Sequence, residues 1–535
     1  MNKAFSFHKD LHIASLTSKD SWHEINVHAL LQHPEKKQPS INAFLGARYS
    51  RSADSVVDIA KEVHVKGQDA AQRLATIFQN YGHKSVGDMA DLFLCIEHVP
   101  MITAMKLFYR NPVLAGQERS TRYQDFARPS FVTLPDTKNT KKLKEEYEAI
   151  IHKQLADYRH LMKITQPRLA EHFKIDMNKK GEVGALQART FDTARYLLPM
   201  GLQTSLGFVM SARNWSELIA MLGGSQMEVD HVLSELIFEL LTAAHPDMAK
   251  SKYIPEADGL IRHTEASTRQ LETTTTMLGW LEEFLARSSQ PRRLTRTPDA
   301  SVEIKDRVSS VGALLRHLQL LQHPLSKQSR FEISPNLQRA LGRIVFERHN
   351  HHFQLGPLAQ SGTLAIEGMA DLGTLKDLNR HRSLERFVPI WHDEVSMKAE
   401  LDRPTKRQFF VCDYLRLPGM TALRKIYESR LIETYDLIRN WQARAEKQLS
   451  PAMATEFTKY LLPHAHSTAY RFYGSVDDLQ YLIHLRTRPG GHIAYRALTA
   501  TWLKKLAQKD QFWQPMHDNL PTVDAASREQ FVDRS

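Results

Sequence analysis

The feature that most limits what this chain can fold into is that it resembles itself. LCIEHVPMITAMKLFYRN (94–111) lies without gaps on LAIEGMADLGTLKDLNRH (364–381), so that Ile96, Glu97 and Arg110 fall on Ile366, Glu367 and Arg380. Farther on, ARYLLPMGLQTS (194–205) lies on TKYLLPHAHSTA (458–469), with Tyr-Leu-Leu-Pro shared and a threonine five residues past each proline. Two matches in the same order, in halves of similar length, point to a duplicated domain. The expected limits are 41–285 for the first domain and 303–510 for the second. An N-terminal extension (1–40) shows no readable motif, a basic linker fills 286–302, and a polar tail (511–535) is expected to be loosely held.

With 535 residues, 42% of them hydrophobic, the chain has material for two or more cores. The local patterns are mixed. KKLKEEYEAIIHKQLADYRHLMKI (141–164) carries Leu143, Tyr147, Ile150, Ile151, Leu155 and Tyr158 at helical spacing, and MEVDHVLSELIFELLTAAH (227–245) reads the same way. DLFLCIEHV (91–99) and GTLAIEGMA (362–370) are short, apolar and bounded by Gly or charge, as suits a buried strand running into a helix. The expected class is α+β.

The net charge of +11 implies anionic partners. The basic residues are spread without long runs, and the locally basic RSSQPRRLTR (287–296) reads as a solvated connection, so nucleic acid is not the expected one. Two cysteines, Cys95 and Cys412, cannot make a disulfide framework; no apolar run reaches the roughly 18 residues needed to cross a bilayer, and no leader pattern precedes the first domain. A cytoplasmic location without membrane association is expected.

Two places suit an anion. GQERSTRY (116–123) crowds Gln117, Glu118, Arg119, Ser120 and Arg122 just after the first strand-to-helix segment, and Ser-x-Arg offers a hydroxyl and a guanidinium fork to phosphate oxygens. In the second half the matching segment runs straight into Arg380-His381-Arg382, two permanent planar cations flanking an imidazole.

These residues resemble the signature of the flavin-dependent thymidylate synthases, the ThyX type: Arg-His-Arg, two residues, Ser, two residues, Glu-x-Ser-x-Arg, then Tyr. The first half keeps Arg110, Glu118, Ser120, Arg122 and Tyr123 but has Asn111, Pro112 and Ala115 where the family has His, Arg and Ser; the second keeps Arg380, His381 and Arg382 and loses the Glu-x-Ser-x-Arg end. YGHKS (81–85) is similar to the family's Gly-His-x-Ser box, with Asp88 replacing its Glu; Ala194-Arg195 is similar to its Ala-Arg, and Leu485-Arg486 to its Leu-Arg pair. The resemblance implies two tandem ThyX-like domains, each a small antiparallel sheet packed with helices, forming a pseudo-dimer within one chain. Family members are homotetramers with active sites between subunits, so a homodimer of the fused chain would imitate the tetramer, and each half could shed what one composite site between the repeats does not need.

The implied activity is reductive methylation of dUMP to dTMP, with FAD as cofactor and NADPH and 5,10-methylenetetrahydrofolate as co-substrates. By resemblance, Arg380, His381 and Arg382 hold FAD with His83 and Glu118 assisting. Gln117, Ser120, Arg122 and Arg195 bind dUMP, Arg486 faces its uracil or phosphate, and Arg122 and Arg486 act at the reacting ring. A cysteine nucleophile is not expected: Cys95 sits in an apolar run where burial raises a thiol's pKa. Two other readings remain open. ERHNHHF (347–353) and PHAHS (463–467) could ligate zinc, although His349, His351 and His352 lack a helical i, i+4 pair with a carboxylate base, and no metal is expected. The broken signatures also suit a non-catalytic nucleotide-binding protein on the same fold.

Overall fold

The computed structural model describes residues 2–8, 13–19, 24–30, 48, 52–55, 57–59, 88–110, 115–119, 130–135, 139–244, 303–306, 334–347, 363–393, 395–405 and 409–533. The described residues mix helix with antiparallel sheet, in line with the α+β expectation. In the first half of the chain they form β1 (Asn2–His8), β2 (Ile13–Lys19), β3 (Glu24–Leu30), β4 (Asp91–Pro100), α1 (Met101–Arg110), β5 (Ala115–Glu118), α2 (Lys141–His172), α3 (Lys180–Ala194), β6 (Gln203–Ser211), α4 (Ala212–Gly223) and α5 (Glu228–Ala244). The second half gives β7 (Glu303–Asp306), α6 (Pro335–Glu347), β8 (Thr363–Asp371), α7 (Leu372–Leu378), β9 (Glu385–Phe387), α8 (Met397–Thr405), α9 (Thr421–Gln448), α10 (Pro451–Leu461), β10 (Ser467–Ser475), α11 (Val476–Arg486), α12 (Ile493–Lys509), α13 (Gln514–Asn519) and α14 (Arg528–Val532).

The strand and helix expectations at 91–99, 362–370, 141–164 and 227–245 correspond to β4, β8, α2 and α5. Local devices recur with the repeat. Tyr147 on α2 donates its hydroxyl to Val132 O at 2.9 Å, and Tyr427 on α9 donates to Phe410 O at 2.7 Å. Ser211 ends β6 and caps α4 through Asn214 N, while Ser475 ends β10 and caps α11 through Asp478 N.

The chain forms two compact units, each discontinuous along the sequence. One comprises Met1–Glu148, Gly201–Arg293 and Gln442–Tyr460, the other Ala149–Met200, Leu294–Trp441 and Leu461–Ser535. The limits expected from the repeat are contiguous along the chain, whereas these units interleave. In the first, a six-stranded antiparallel sheet runs β1-β2-β3-β4-β6-β5. Ile25, Val27 and Ala29, Leu92, Leu94 and Ile96, and Leu206, Phe208 and Met210 alternate inward, and α5 lies over β2 and β3. The motifless N-terminal extension thus supplies three strands, and its alternating INVHA (25–29) is the signal for one of them.

In the second unit the sheet runs β7-β8-β10-β9. Leu364, Ile366, Tyr470 and Phe472 are buried from β8 and β10, and Trp502 of α12 donates its indole N–H to Tyr470 Oη at 2.8 Å. The two Leu-Leu-Pro segments meet here. Pro199 faces Pro463 in an antiparallel bridge, flanked by Met200 N to Leu462 O at 2.9 Å and His464 N to Leu198 O at 3.0 Å.

The tail expected to be loosely held is instead packed into this unit. Phe512, Trp513 and Phe531 are buried, Phe531 stacks on Phe173 with ring centroids 3.9 Å apart, and Phe346 of α6 lies against both Phe512 and Trp513. The buried Arg189 of α3 donates to the carbonyls of Phe531 at 3.2 Å and Asp533 at 2.9 Å. The aromatic anchors are few and separated by polar residues, so composition concealed them. Phe531→Ala is expected to cost about 3 kcal/mol in urea unfolding followed by tryptophan fluorescence; a loss under about 1 kcal/mol would restore the loosely held tail.

Candidate functional site

The densest arrangement of expected site residues lies in the second unit, on the turn from α7 to β9. Helix α7 is capped at its start by Asp371, whose Oδ1 accepts from Thr374 N at 2.6 Å, and at its end Asn379 N bonds Leu375 O at 2.8 Å. Leu372, Leu375 and Leu378 bury one face, so the turn that follows is held from behind. His381 N closes it on Leu378 O at 3.1 Å, and Arg386 grips Asn379 through its carbonyl and, at 3.0 Å, its Oδ1.

On this turn His381 is buried, and Arg380 and Arg382 are half-buried. Arg486, the last residue of α11, donates from Nε to His381 Nε2 at 2.7 Å. A guanidinium can only donate, so Nε2 is the acceptor and a neutral His381 carries its proton on Nδ1. Burial first, then the charges of Arg486 and Arg386, hold the imidazole well below its usual pKa. Arg486 also sits over the Tyr495 ring, 5.2 Å from its centroid, and Tyr481, five residues earlier on α11, approaches His381 edge-on at 6.1 Å.

Arg195 lies in the same unit although it comes from the first half of the sequence. It is buried, with Nη2 donating to Asp377 Oδ2 at 2.9 Å and to Gly373 O at 3.4 Å. Burial pulls its pKa down, but Asp377, Tyr196 and Asp192 outweigh that and hold it above the ordinary guanidinium value. The structure therefore ties Arg195 to α7.

Gln117 and Glu118 lie in the first unit on the edge strand β5, paired with Gly207 and Leu206 of β6; Glu118 is buried and Gln117 exposed. His83, Ser120 and Arg122 lie outside the described residues, as do His349, His351, His352 and the 286–302 linker. The PHAHS histidines have structural partners: His464 Nδ1 donates to Leu198 O at 2.8 Å, and His466 faces Glu400 at 3.0 Å and Tyr435 Oη at 3.3 Å. Cys95 is half-buried on β4 rather than enclosed, and its thiol is raised by burial and by Glu97.

Sequence reasoning missed Asn379, Arg386, Tyr481 and Tyr495. Helical spacing carried no signal for Tyr481, which at five residues before Arg486 sits about 140° round the helix from it.

The FAD implied by the resemblance can be tested against this donor set. Arg380 Nε is buried without a hydrogen-bond partner among the described residues. An orphaned guanidinium nitrogen beside a second half-buried arginine fits the anionic pyrophosphate of a dinucleotide.

Two histidines give the unit a pH signature. His381 is held well below its usual pKa, and His464 is pushed down to about 3, by burial above all, with Arg195 and Lys376 adding to it. The unfolded chain binds a proton at each near pH 6.5 that the folded protein refuses, so their contribution is intact above about pH 6.5 and is lost as pH falls toward 3. Urea unfolding across this range should show stability falling with pH. The slope should be shallower in His464→Asn, whose amide can still donate to Leu198 O; an unchanged slope would mean that His464 is not held neutral.

Residues 29–247 match the family model described as thymidylate synthase complementing protein. The UPF0159 protein of Chlamydia pneumoniae is 22% identical over 479 residues, covering 86% of this chain and 82% of its own. The UPF0159 protein of Chlamydia muridarum is 23% identical over 463 residues, covering 82% and 79%. That of Thermoplasma acidophilum is 20% identical over 489 residues, covering 84% and 89%. These alignments are longer than the segment that the family model matches, so the likeness takes in chain outside it. The resemblance read from the first half of the sequence is thus matched by the comparison: over residues 29–247 the chain is similar, as a divergent sequence, to the thymidylate synthase complementing family.

Proposed function

We propose that the chain is an FAD-dependent thymidylate synthase that methylates dUMP with 5,10-methylenetetrahydrofolate and NADPH, at one composite site drawing on both halves of a duplicated sequence. The observation that carries this reading is the α7–β9 turn, where Arg380 and Arg382 flank a buried His381 and Arg380 Nε has no partner among the described residues. Arg195 from the first half, in the same unit as this turn from the second, supports a site built from both.

In this reading Arg380 and Arg382 hold the cofactor pyrophosphate, with His83 and Glu118 assisting. His381 offers its Nδ1–H as a neutral donor, and Arg486 orients it. Arg486 in turn presents its remaining N–H groups to uracil, with Gln117, Ser120 and Arg122 on the rest of dUMP. Arg195 acts through α7, whose last turn it secures by Asp377. When bound, the flavin supplies the redox and one-carbon chemistry; the protein binds, orients and shields from water. The fused chain pairs as a homodimer in place of the family's tetramer.

A second reading, a nucleotide-binding protein without catalysis, is favoured by Arg195: the residue that the resemblance places on nucleotide is already bonded to Asp377. The visible absorption spectrum of the purified chain decides first. The enzyme reading expects a flavin spectrum at about one FAD per chain, at least about tenfold weaker cofactor retention in Arg380→Ala, Arg382→Ala, and dTMP formed from dUMP with NADPH and the folate. A chain that takes up no added FAD would end it; one that still bound dUMP would leave the second.

A further inference from the structure

We propose that a cavity of about 270 Å3 in the second unit, beside the C-terminal end of β8, binds an uncharged planar heterocycle through the edge that guanine and pterins share, two adjacent N–H donors of a 2-amino-4-oxopyrimidine. The cavity does not involve the Arg380–Arg382 turn, and the inference does not rest on flavin chemistry.

Part of its wall is apolar and suited to a ring, formed by Met369, Phe410, Val411, Ala497 and Leu498. Phe410 is itself fixed, tilted against Tyr196 with centroids 4.5 Å apart. Into this lining comes Asp371, a buried carboxylate. Burial raises its pKa to about 6, against the opposing pull of Thr374 and Arg195, so near pH 7 it is mostly ionised.

A buried carboxylate against an apolar wall is costly unless donors meet its lone pairs, of which it has about four. Thr374 meets part of this need, its N–H reaching Oδ1 at 2.6 Å and its hydroxyl also stabilising the charged carboxylate. Two parallel N–H groups on one ring edge match what such a carboxylate can still accept. Ser467 and Thr501 add hydroxyls for the ring's carbonyl and nitrogen acceptors.

Charge narrows the class further. Besides Asp371, the lining holds Asp413 and Arg416, one of each sign, so its formal balance is negative. Arg416 is exposed and its Nε donates to Val411 O at 3.3 Å, which sets this pair at the open side. A phosphate is disfavoured there, and a free base, a nucleoside or an uncharged pterin is favoured.

Isothermal titration calorimetry of the full chain with guanosine, biopterin and adenosine tests the inference. The expected result is saturable binding of guanosine or biopterin at about one per chain, with adenosine at least about tenfold weaker because its edge sets an acceptor beside the amino group. Whichever of the first two binds identifies the source of the edge. Asp371→Asn keeps a capping side chain and should weaken binding about tenfold or more. Ala497→Phe should abolish it by filling the cavity while leaving Asp371 in place, with circular dichroism confirming the fold of both variants. Failure of both ligands to bind, adenosine binding as tightly, or affinity undiminished in Ala497→Phe would overturn the proposal.

Discussion

The structure depends on the backbone pairing of one Tyr-Leu-Leu-Pro segment with the other. Proline has no N–H, so a run ending in proline can join an antiparallel ladder only where none is required. Setting Pro199 opposite Pro463 does this: the two prolines form a pair that exchanges no hydrogen bond, and the bonds fall on the flanking residues, Met200 N to Leu462 O and His464 N to Leu198 O. Because the segments are alike, the pairing is reciprocal, and what one donates its counterpart also donates. Gly201 N to Tyr460 O and Ala465 N to Tyr196 O continue the same exchange. Helices α3 and α10 lead into these segments and β6 and β10 lead out, which is why each compact unit takes its parts from both halves of the chain.

Around that pairing, buried charge does the positioning. Arg195 begins the turn before Leu197-Leu198-Pro199 and holds Asp377 on α7, and α7 carries the Arg380–Arg382 turn at its end. Removing one partner of such a pair leaves a buried charge uncompensated, at a cost of about 3–5 kcal/mol. His464, just after the other proline, is kept neutral by its burial while donating to Leu198 O. The sequence that joins the halves is thus also the sequence that aims the candidate site.

Much of this could be read along the chain. The strands at 91–99 and 362–370 and the long helix at 141–164 follow from apolar spacing, and the second half-signature with the Ala-Arg and Leu-Arg pairs directed attention to Arg380, His381, Arg382, Arg195 and Arg486, all of which lie in one unit. What could not be read is long-range. Nothing in Tyr-Leu-Leu-Pro says that its partner is its own copy, and nothing in the spacing of Arg195 says that its partner is Asp377. The tail failed as a reading for a different reason: Phe531 is a single aromatic among polar residues, and its burial against Phe173 depends on a surface assembled from distant parts of the chain.

Arg195 and Arg380 show why residue type alone could not assign the site. Each has a buried Nε without a hydrogen-bond partner among the described residues. Arg195 has a carboxylate 2.9 Å away to balance its charge, so an incoming anion would have to compete with Asp377 or displace it. Arg380 is half-buried beside His381, which is held neutral by its own burial and by Arg486 and Arg386, and a neutral imidazole cannot balance a neighbouring cation. Of the two, Arg380 is therefore the better placed to receive an anion, which there gains charge-assisted hydrogen bonds without breaking an ion pair among the described residues.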